Sequence, residues 1–401
     1  MKTVAEARSL VLSEAQPGPA TLVPCNDAVG LLLAESIVAD LDSPPHDKSV
    51  VDGYAVVAAD LANGAASLTL LEEVTAGRLP TATVRGGCAT RIMTGAPLPP
   101  GADAVVMVER SEVVGDKIVL RETRPVVPGM NITPQGASAK RGEIVIAKGS
   151  TIRPIEAGLC AEFGRAHVKV IPRPKVAVLA TGDELVPPDQ SPAAGQIRNS
   201  NGTLLVALAR AAGAEAKFFG IARDSAESLR EHIACALTDS DVLLLSGGVS
   251  AGVLDLVPSV LAELGVTEVF HKVAVKPGKP LWFGTYLNEH GDNTLVFGLP
   301  GNPVSSLVGF ELFVKPALRR MLGCGQVLPR SFHAALTREQ RIRGERATYW
   351  PARYHADENA IEPLDWRGSG DLRTLANANA LLVFEREGVY PAGTHVEAVE
   401  L

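Results

Sequence analysis

Apolar residues recur at helical spacing near the start of the chain. Val4, Ala7, Leu10 and Val11 share one face of residues 3–14, which predicts an amphipathic helix. The rhythm then shortens. Residues 27–38 mix a helical turn with strand, and DSPPHDKSVVDGYAV (42–56) bends through prolines into a strand. From 68 to 149, short apolar runs (LTLLEEV, ATRIM, DAVVMVE, KIVLRE, EIVIAKG) alternate with Gly and Pro, predicting a β-rich module. Residues 151–170 turn partly helical, from Ile155 through Phe163.

Past Pro172 and Pro174 the pattern changes again. Apolar strands at 175–180, 216–222, 241–246 and 294–298 alternate with amphipathic helices at 199–214, 225–237, 255–265 and 305–323. Further strands are expected in VTEVFHKVAV and LWFG. Strands alternating with helices over about 150 residues predict a doubly wound, mostly parallel sheet. Beyond Pro329 the helical spacing stops, and residues 331–401 predict a small all-β domain. The expected fold is therefore multidomain α/β plus β. The expected division is 1–45 with 136–172 as a discontinuous helical and linker domain, 46–135 as the β-rich module, 173–325 as the α/β domain and 326–401 as the C-terminal β domain.

Composition narrows the class. The 401 residues are 46% hydrophobic and 21% charged, with a net charge of −7, a globular profile without the basic runs that nucleic acid requires. Cys25, Cys88, Cys160, Cys235 and Cys324 are scattered and odd in number, which suits reduced thiols in the cytoplasm. The first residues lack a secretory pattern, and no apolar run approaches the roughly 18 residues of a membrane span. The eight histidines show no ligand spacing.

The candidate chemistry lies where strands end. TGDEL (181–185), Arg223-Asp224, SGGVSAGVLD (246–255), KPGKP (276–280) and LPGNP (299–303) each follow a predicted strand. In an open parallel sheet the carboxyl ends share one edge, where ligands bind. Each loop also has an ordinary structural explanation: a tight turn, a solvated pair of lysines, or a helix cap at Asp255. Taken together they point to a phosphorylated ligand with a divalent metal. Gly247 and Gly248 allow backbone N–H groups to approach an anion, and Ser250 adds a hydroxyl. Lys276 and Lys279, stiffened by neighbouring prolines, suit an oxyanion. Asp183, Glu184, Asp224 and Asp255 offer the hard oxygens of a Mg²⁺ site, and Asn302 suits a polar ligand edge.

These residues carry a family resemblance. DGYA (52–55), RIMTGAPLPPGADAVVMVE (91–109), TGDEL, SGGVSAGVLD, VAVKPGKP (273–280), GLPGNPVSS (298–306) and GSGDLRTLANANALLVF (368–384) resemble, in order and spacing, the molybdopterin molybdenumtransferase family over nearly the whole chain. The resemblance implies an enzyme that takes adenylylated molybdopterin and molybdate, places molybdenum on the dithiolene sulfurs and releases AMP, aided by Mg²⁺ or another divalent cation. It implies functional roles for Asp52, Thr94, Glu184, Asp224, Asp255, Lys276 and Lys279, with Glu184, Asp224 and Asp255 on the metal. Gly247, Gly248, Ser250, Pro300, Asn302 and Pro303 would bind the pterin ligand. It also implies a homodimer whose active site is shared between subunits, the module bearing Asp52 and Thr94 facing the partner's α/β domain. Transient contacts with other proteins of the pathway or with acceptor enzymes follow from the same likeness. One segment departs: where the family has Asn-Ile-Arg-x-x-Gly-Glu-Asp, residues 131–138 read NITPQGAS, without the arginine and the acid pair. Arg141 and Glu143 stand close enough in sequence to substitute for them. The alternatives are the preceding adenylylation of molybdopterin, which would consume ATP, a non-catalytic molybdopterin carrier or scaffold, and a tungstate-selective variant.

Overall fold

The computed structural model describes residues 1–249, 256–288 and 291–401. The chain packs as two compact units. One comprises residues 24–29 and 35–168; the other comprises 1–23, 30–34 and 169–401.

The first of these units carries a six-stranded sheet built from β1 (Gly53–Val56), β2 (Ala65–Val74), β3 (Cys88–Ile92), β4 (Ala104–Met107), β5 (Ser111–Val114) and β6 (Lys117–Arg121), in the order β4-β1-β3-β2-β6-β5. Alternate residues supply its core: Tyr54, Val56, Leu68, Val106 and Leu120 are buried together. The glycine of the DGYA strand is required by packing, because a Cβ at Gly53 would collide with the carbonyl of Val106 on the neighbouring strand. A short helix, Pro154–Glu162, opens on a proline that costs no intrahelical bond at that position.

In the larger unit, helix α1 (Val4–Glu14) starts as the spacing predicts. Thr3 and Glu6 exchange capping bonds, and Ala7 and Val11 are buried. The α/β sheet contains β7 (Lys175–Thr181), β8 (Glu215–Ala222), β9 (Val242–Ser246), β10 (Thr267–His271), β12 (Trp282–Leu287) and β13 (Asn293–Leu299), ordered β8-β7-β9-β13-β12-β10. The first four run parallel; β12 is antiparallel to both of its neighbours, β13 and β10. Strands β7 and β9 are apolar and almost wholly buried because helices cover both faces. One face packs Val178, Leu244 and Phe297 under the helix Ser200–Ala211, and the other packs Leu179 and Leu243 under the helices Ala226–Thr238 and Val257–Glu263.

Three local expectations change. VTEVFHKVAV is two strands, split at Lys272, whose φ is +72°. The second piece, β11 (Val275–Lys276), leaves the α/β sheet and pairs with the C-terminal one. The helix over 305–323 runs from Pro303 to Met321, but residues 310–314 form a π turn that shifts its register. The C-terminal region contains one short helix, Leu372–Leu375, which Asp371 caps. Its strands β14 (Ser331–Leu336), β15 (Ala347–His355), β16 (Ala360–Pro363), β17 (Ala380–Phe384) and β18 (His395–Glu400) pair β15-β16-β14-β18-β17, and β17 pairs back to β15. That return pairing closes a small barrel and removes its edges. Among the described residues, no helix is long and apolar enough to cross a membrane.

Candidate functional site

The carboxyl edge of the parallel strands holds an open cleft of about 690 Å³. Its wall comes from the loops after β7, β8, β9 and β13, as the rule for open sheets requires. Gly247 and Gly248 turn the chain after β9 with φ of +96° and +64°, a region that disfavours side chains. Packing adds a second restriction. A Cβ on Gly247 would lie 2.7 Å from the Thr181 carbonyl oxygen, and one on Gly248 would lie 2.6 Å from Val257. The Gly247 N–H donates to the Leu299 carbonyl at 3.0 Å, joining this turn to the end of β13.

The turn after β13 is braced from below. Asn201, on the first turn of the helix Ser200–Ala211, is 7% exposed. Its Nδ2 donates to Ser246 Oγ at 2.7 Å, to the Gly301 carbonyl at 2.8 Å and, more weakly, to Ser306 Oγ at 3.4 Å. Ser306 Oγ in turn donates to the Pro300 carbonyl at 2.5 Å. Asn302 Nδ2 donates to Ser369 Oγ at 2.9 Å, which ties the Leu-Pro-Gly-Asn-Pro turn to the Gly-Ser-Gly-Asp segment. Sequence reasoning reads NSNG as helix capping. Asn199 is that cap, bonded to the Gly202 N–H at 2.9 Å, whereas Asn201 is a cleft residue that capping logic passes over. Thr181, also in the cleft wall, falls inside the TGDEL segment, where the acids draw the attention and the threonine is given no role of its own. A second polar residue just inside a capped helix, opposite a glycine turn, is the signal that would have found Asn201.

Of the expected site residues, Glu184, Asp224, Gly247, Gly248, Pro300, Asn302 and Pro303 line this one cleft. Asp183 and Asp224 exchange bonds, each backbone N–H donating to the other's carboxylate at 3.4 and 3.3 Å. Arg223 Nη1 donates to the Asp183 carbonyl at 3.1 Å. Ser250 and Asp255 lie outside the described residues. The lysines stand apart from the cleft wall, which the KPGKP turn reaches through Pro280. This turn follows β11, which belongs to the C-terminal sheet and not to the α/β sheet, and it nevertheless sits at the same edge for a different reason. Strand β12 runs antiparallel to β13, so its start, Trp282, lies opposite Gly298 near the carboxyl end of β13. Lys276 is half-buried and its Nζ donates to the Arg343 carbonyl at 3.2 Å. Lys279 is exposed, with no side-chain partner among the described residues.

Asp52 and Thr94 meet in the other unit. The Thr94 N–H and Oγ1 both donate to Asp52 Oδ1 at 2.7 Å. These bonds, the backbone one first, hold the Asp52 carboxyl below the usual carboxylate range, and the Arg91 charge adds a smaller pull. In the departing segment, Ile132 and Thr133 pair with Ser49 and Lys48. Asn131 occupies φ +58° and its Nδ2 donates to the Val105 carbonyl at 2.9 Å. Gln135 binds Asp47 through its N–H at 2.7 Å and Asp42 through its side chain at 2.8 Å. Arg141 donates its backbone N–H to Asp42 and Glu143 caps Lys140 N–H, so the Glu143 carboxylate serves the loop locally.

A mostly parallel α/β sheet with a glycine turn at its carboxyl edge lies between β-rich regions of the chain, and comparison with known families gives its class: proteins built around a molybdopterin-binding domain. The model described as a probable molybdopterin binding domain matches residues 177–320, between the MoeA N-terminal region (domain I and II) at 2–164 and the MoeA C-terminal region (domain IV) at 333–401. A protein named molybdopterin molybdenumtransferase from Staphylococcus aureus is 34% identical over 392 residues, 95% of this chain and 90% of that one. Another of that name from Nostoc is 36% identical over 364 residues, covering 89% and 83%. The crystal structure of a molybdopterin biosynthesis MoeA protein from Pyrococcus horikoshii matches with a TM-score of 0.85 at 33% identity, covering 99% of this chain and 98% of that one. The chain belongs to the molybdopterin molybdenumtransferase family.

Proposed function

We propose that the protein transfers molybdenum from molybdate to adenylylated molybdopterin and releases AMP. One observation carries this reading: loops remote in sequence form a single cleft of about 690 Å³ whose wall combines a glycine turn with two carboxylates, Glu184 and Asp224. The Gly247-Gly248 turn suits the phosphate of the ligand, and the Pro300–Pro303 turn suits its adenylate portion. Lys276 and Lys279 supply cationic charge for molybdate or the departing phosphate.

Among the described residues no group of three acids, histidines or cysteines gathers as a preformed cage, and the two cleft carboxylates Glu184 and Asp224 suit Mg²⁺, which is ordinarily held by one or two carboxylates together with substrate phosphates. Glu184 and Asp224 would hold it, joined by Asp255. When bound, the cation neutralises charge on the phosphoanhydride as it breaks. Asp52, kept ionised by Thr94, would act in a cleft completed by a second copy of the chain, so the working form is a homodimer. We propose the four-domain division for the same architecture, and a cytoplasmic location.

The test mixes purified protein with adenylylated molybdopterin, molybdate and Mg²⁺ and measures AMP by chromatography. Molybdate-dependent AMP release, lost on chelation of Mg²⁺, is expected. Binding without AMP release would mark a carrier, and consumption of ATP would mark an adenylyltransferase. For the shared site, Asp52→Ala and Lys276→Ala subunits are unfolded together and refolded as a mixture. Recovery of activity absent from either variant alone is expected; no recovery would argue for sites complete within one chain.

A further inference from the structure

Among the described residues, two buried oxygens in the cleft wall have no hydrogen-bond partner: Thr181 Oγ1 and Asn201 Oδ1. Thr181 is 3% exposed and Asn201 is 7% exposed. The amide orientation of Asn201 is fixed by chemistry, because the Gly301 carbonyl accepts only and therefore requires Nδ2 to face it. Its Oδ1 is thus left over from a strut whose donors are fully used. The Thr181 hydroxyl lies beneath the glycine turn, so close that a Cβ at Gly247 or Gly248 would approach it to 3.0 or 2.9 Å. Ser246, which opens the same turn, accepts from Asn201 Nδ2. The two unpartnered oxygens therefore flank one turn, one from the end of β7 and one from the start of a helix.

Buried polar groups are ordinarily paired, and an unpaired one disfavours the free protein. Neither oxygen bonds to another of the described residues. We propose that Thr181 and Asn201 are specificity groups that receive the polar edge of a bound heterocycle: Asn201 Oδ1 accepts a ring or amino N–H, and Thr181 Oγ1 accepts a second N–H or donates to a ring carbonyl. A ring bearing an amino group beside a lactam, as a pterin does, presents that combination. This inference rests on the function proposed above and deepens it, because it separates recognition of the ring from recognition of the phosphate and adenylate.

Calorimetric titration of the parent protein, Thr181→Val and Asn201→Ala with adenylylated molybdopterin and with AMP alone, beside thermal melting of each, tests it. Thr181→Val is the decisive variant, since it deletes only an unpaired hydroxyl. Its melting temperature should equal or exceed the parent's. Its Kd for adenylylated molybdopterin should rise about 3- to 10-fold, the loss of one neutral hydrogen bond, while its Kd for AMP stays unchanged. Asn201→Ala should lose affinity for the pterin ligand more than for AMP even though it also melts earlier. Parental affinity in Thr181→Val, or equal losses for both ligands in the two variants, overturns the assignment. A parent protein that binds AMP but not adenylylated molybdopterin overturns the proposed function, and this inference falls with it.

Discussion

The glycine turn after β9 and the Asp52–Thr94 pair are both short polar motifs, yet the protein holds them by opposite means. The turn is fixed by crowding. Thr181, Val257 and the Leu299 carbonyl occupy the space around it, leaving no room for a side chain at Gly247 or Gly248. Asp52 and Thr94 are exposed, and two directed hydrogen bonds define their geometry. Crowding makes a site rigid and intolerant of volume, whereas hydrogen bonding makes a site whose charge state is adjustable. Within the DGYA strand the two means stand side by side: Gly53 is dictated by the neighbouring strand, while Asp52 is free of packing demands.

The sharpest way to break this contrast is to add volume to the turn. Gly248→Val combines a left-handed backbone with a clash against Val257, so it should destabilise the protein by about 2–5 kcal/mol and abolish ligand binding. Chemical denaturation and titration measure both. A stable variant that still binds would show that the turn yields, and the crowding argument would fail. Lys276 stands between the two cases, half-buried with its Nζ on the Arg343 carbonyl. Lys276→Ala should lower AMP release by about 2–4 kcal/mol of transition-state stabilisation with little change in melting temperature. Turnover at the parental rate would remove the lysine from the site.

The Asp52 pair makes a pH prediction. Thr94→Val removes the hydroxyl bond that lowers the Asp52 pKa, so that pKa should rise toward the ordinary value. Asp52 in the parent protein stays ionised to lower pH than a free aspartate, and whatever its charge contributes is lost only as pH falls through that depressed pKa. In the variant the acid limb of AMP release should therefore move to higher pH, while the plateau near neutrality changes less. An unmoved acid limb would detach Asp52 ionisation from turnover.

What the sequence disclosed follows the same division. The alternation over 175–299 and the breaks after each strand placed the cleft edge, because parallel strands buried on both faces read as unbroken apolar runs. Gly247 and Gly248 were visible because few residues tolerate such a backbone. Asn201 was not, since its contacts reach across 45 and more residues that no local spacing encodes, and Thr181 was legible only as part of TGDEL, without a role of its own. The KPGKP turn was placed at the right edge for an incomplete reason. Pairing of β11 with β15, and the antiparallel course of β12, are decided by partners far along the chain. The π turn at 310–314 was hidden for a related reason: every residue in it is buried, so the apolar spacing carries no mark of the shift.

The smallest expected effect concerns residues 131–138, where the resemblance drawn from the sequence leads to the expectation of an arginine and an acid pair. Thr133 is half-buried, pairs through its backbone with Lys48 and has neighbours that are already bonded. Gln135 and the backbone of Arg141 satisfy Asp42, and Glu143 caps Lys140, so the loop is held by its own residues. If the segment acts only as scaffold, Thr133→Arg should change AMP release by less than about threefold and stability by less than about 0.5 kcal/mol, as at an ordinary surface position. Steady-state kinetics over a range of molybdate concentrations decides the matter. A large fall in the KM for molybdate would show that the family's arginine handles the oxyanion, and that this chain carries out the same reaction with that contact removed.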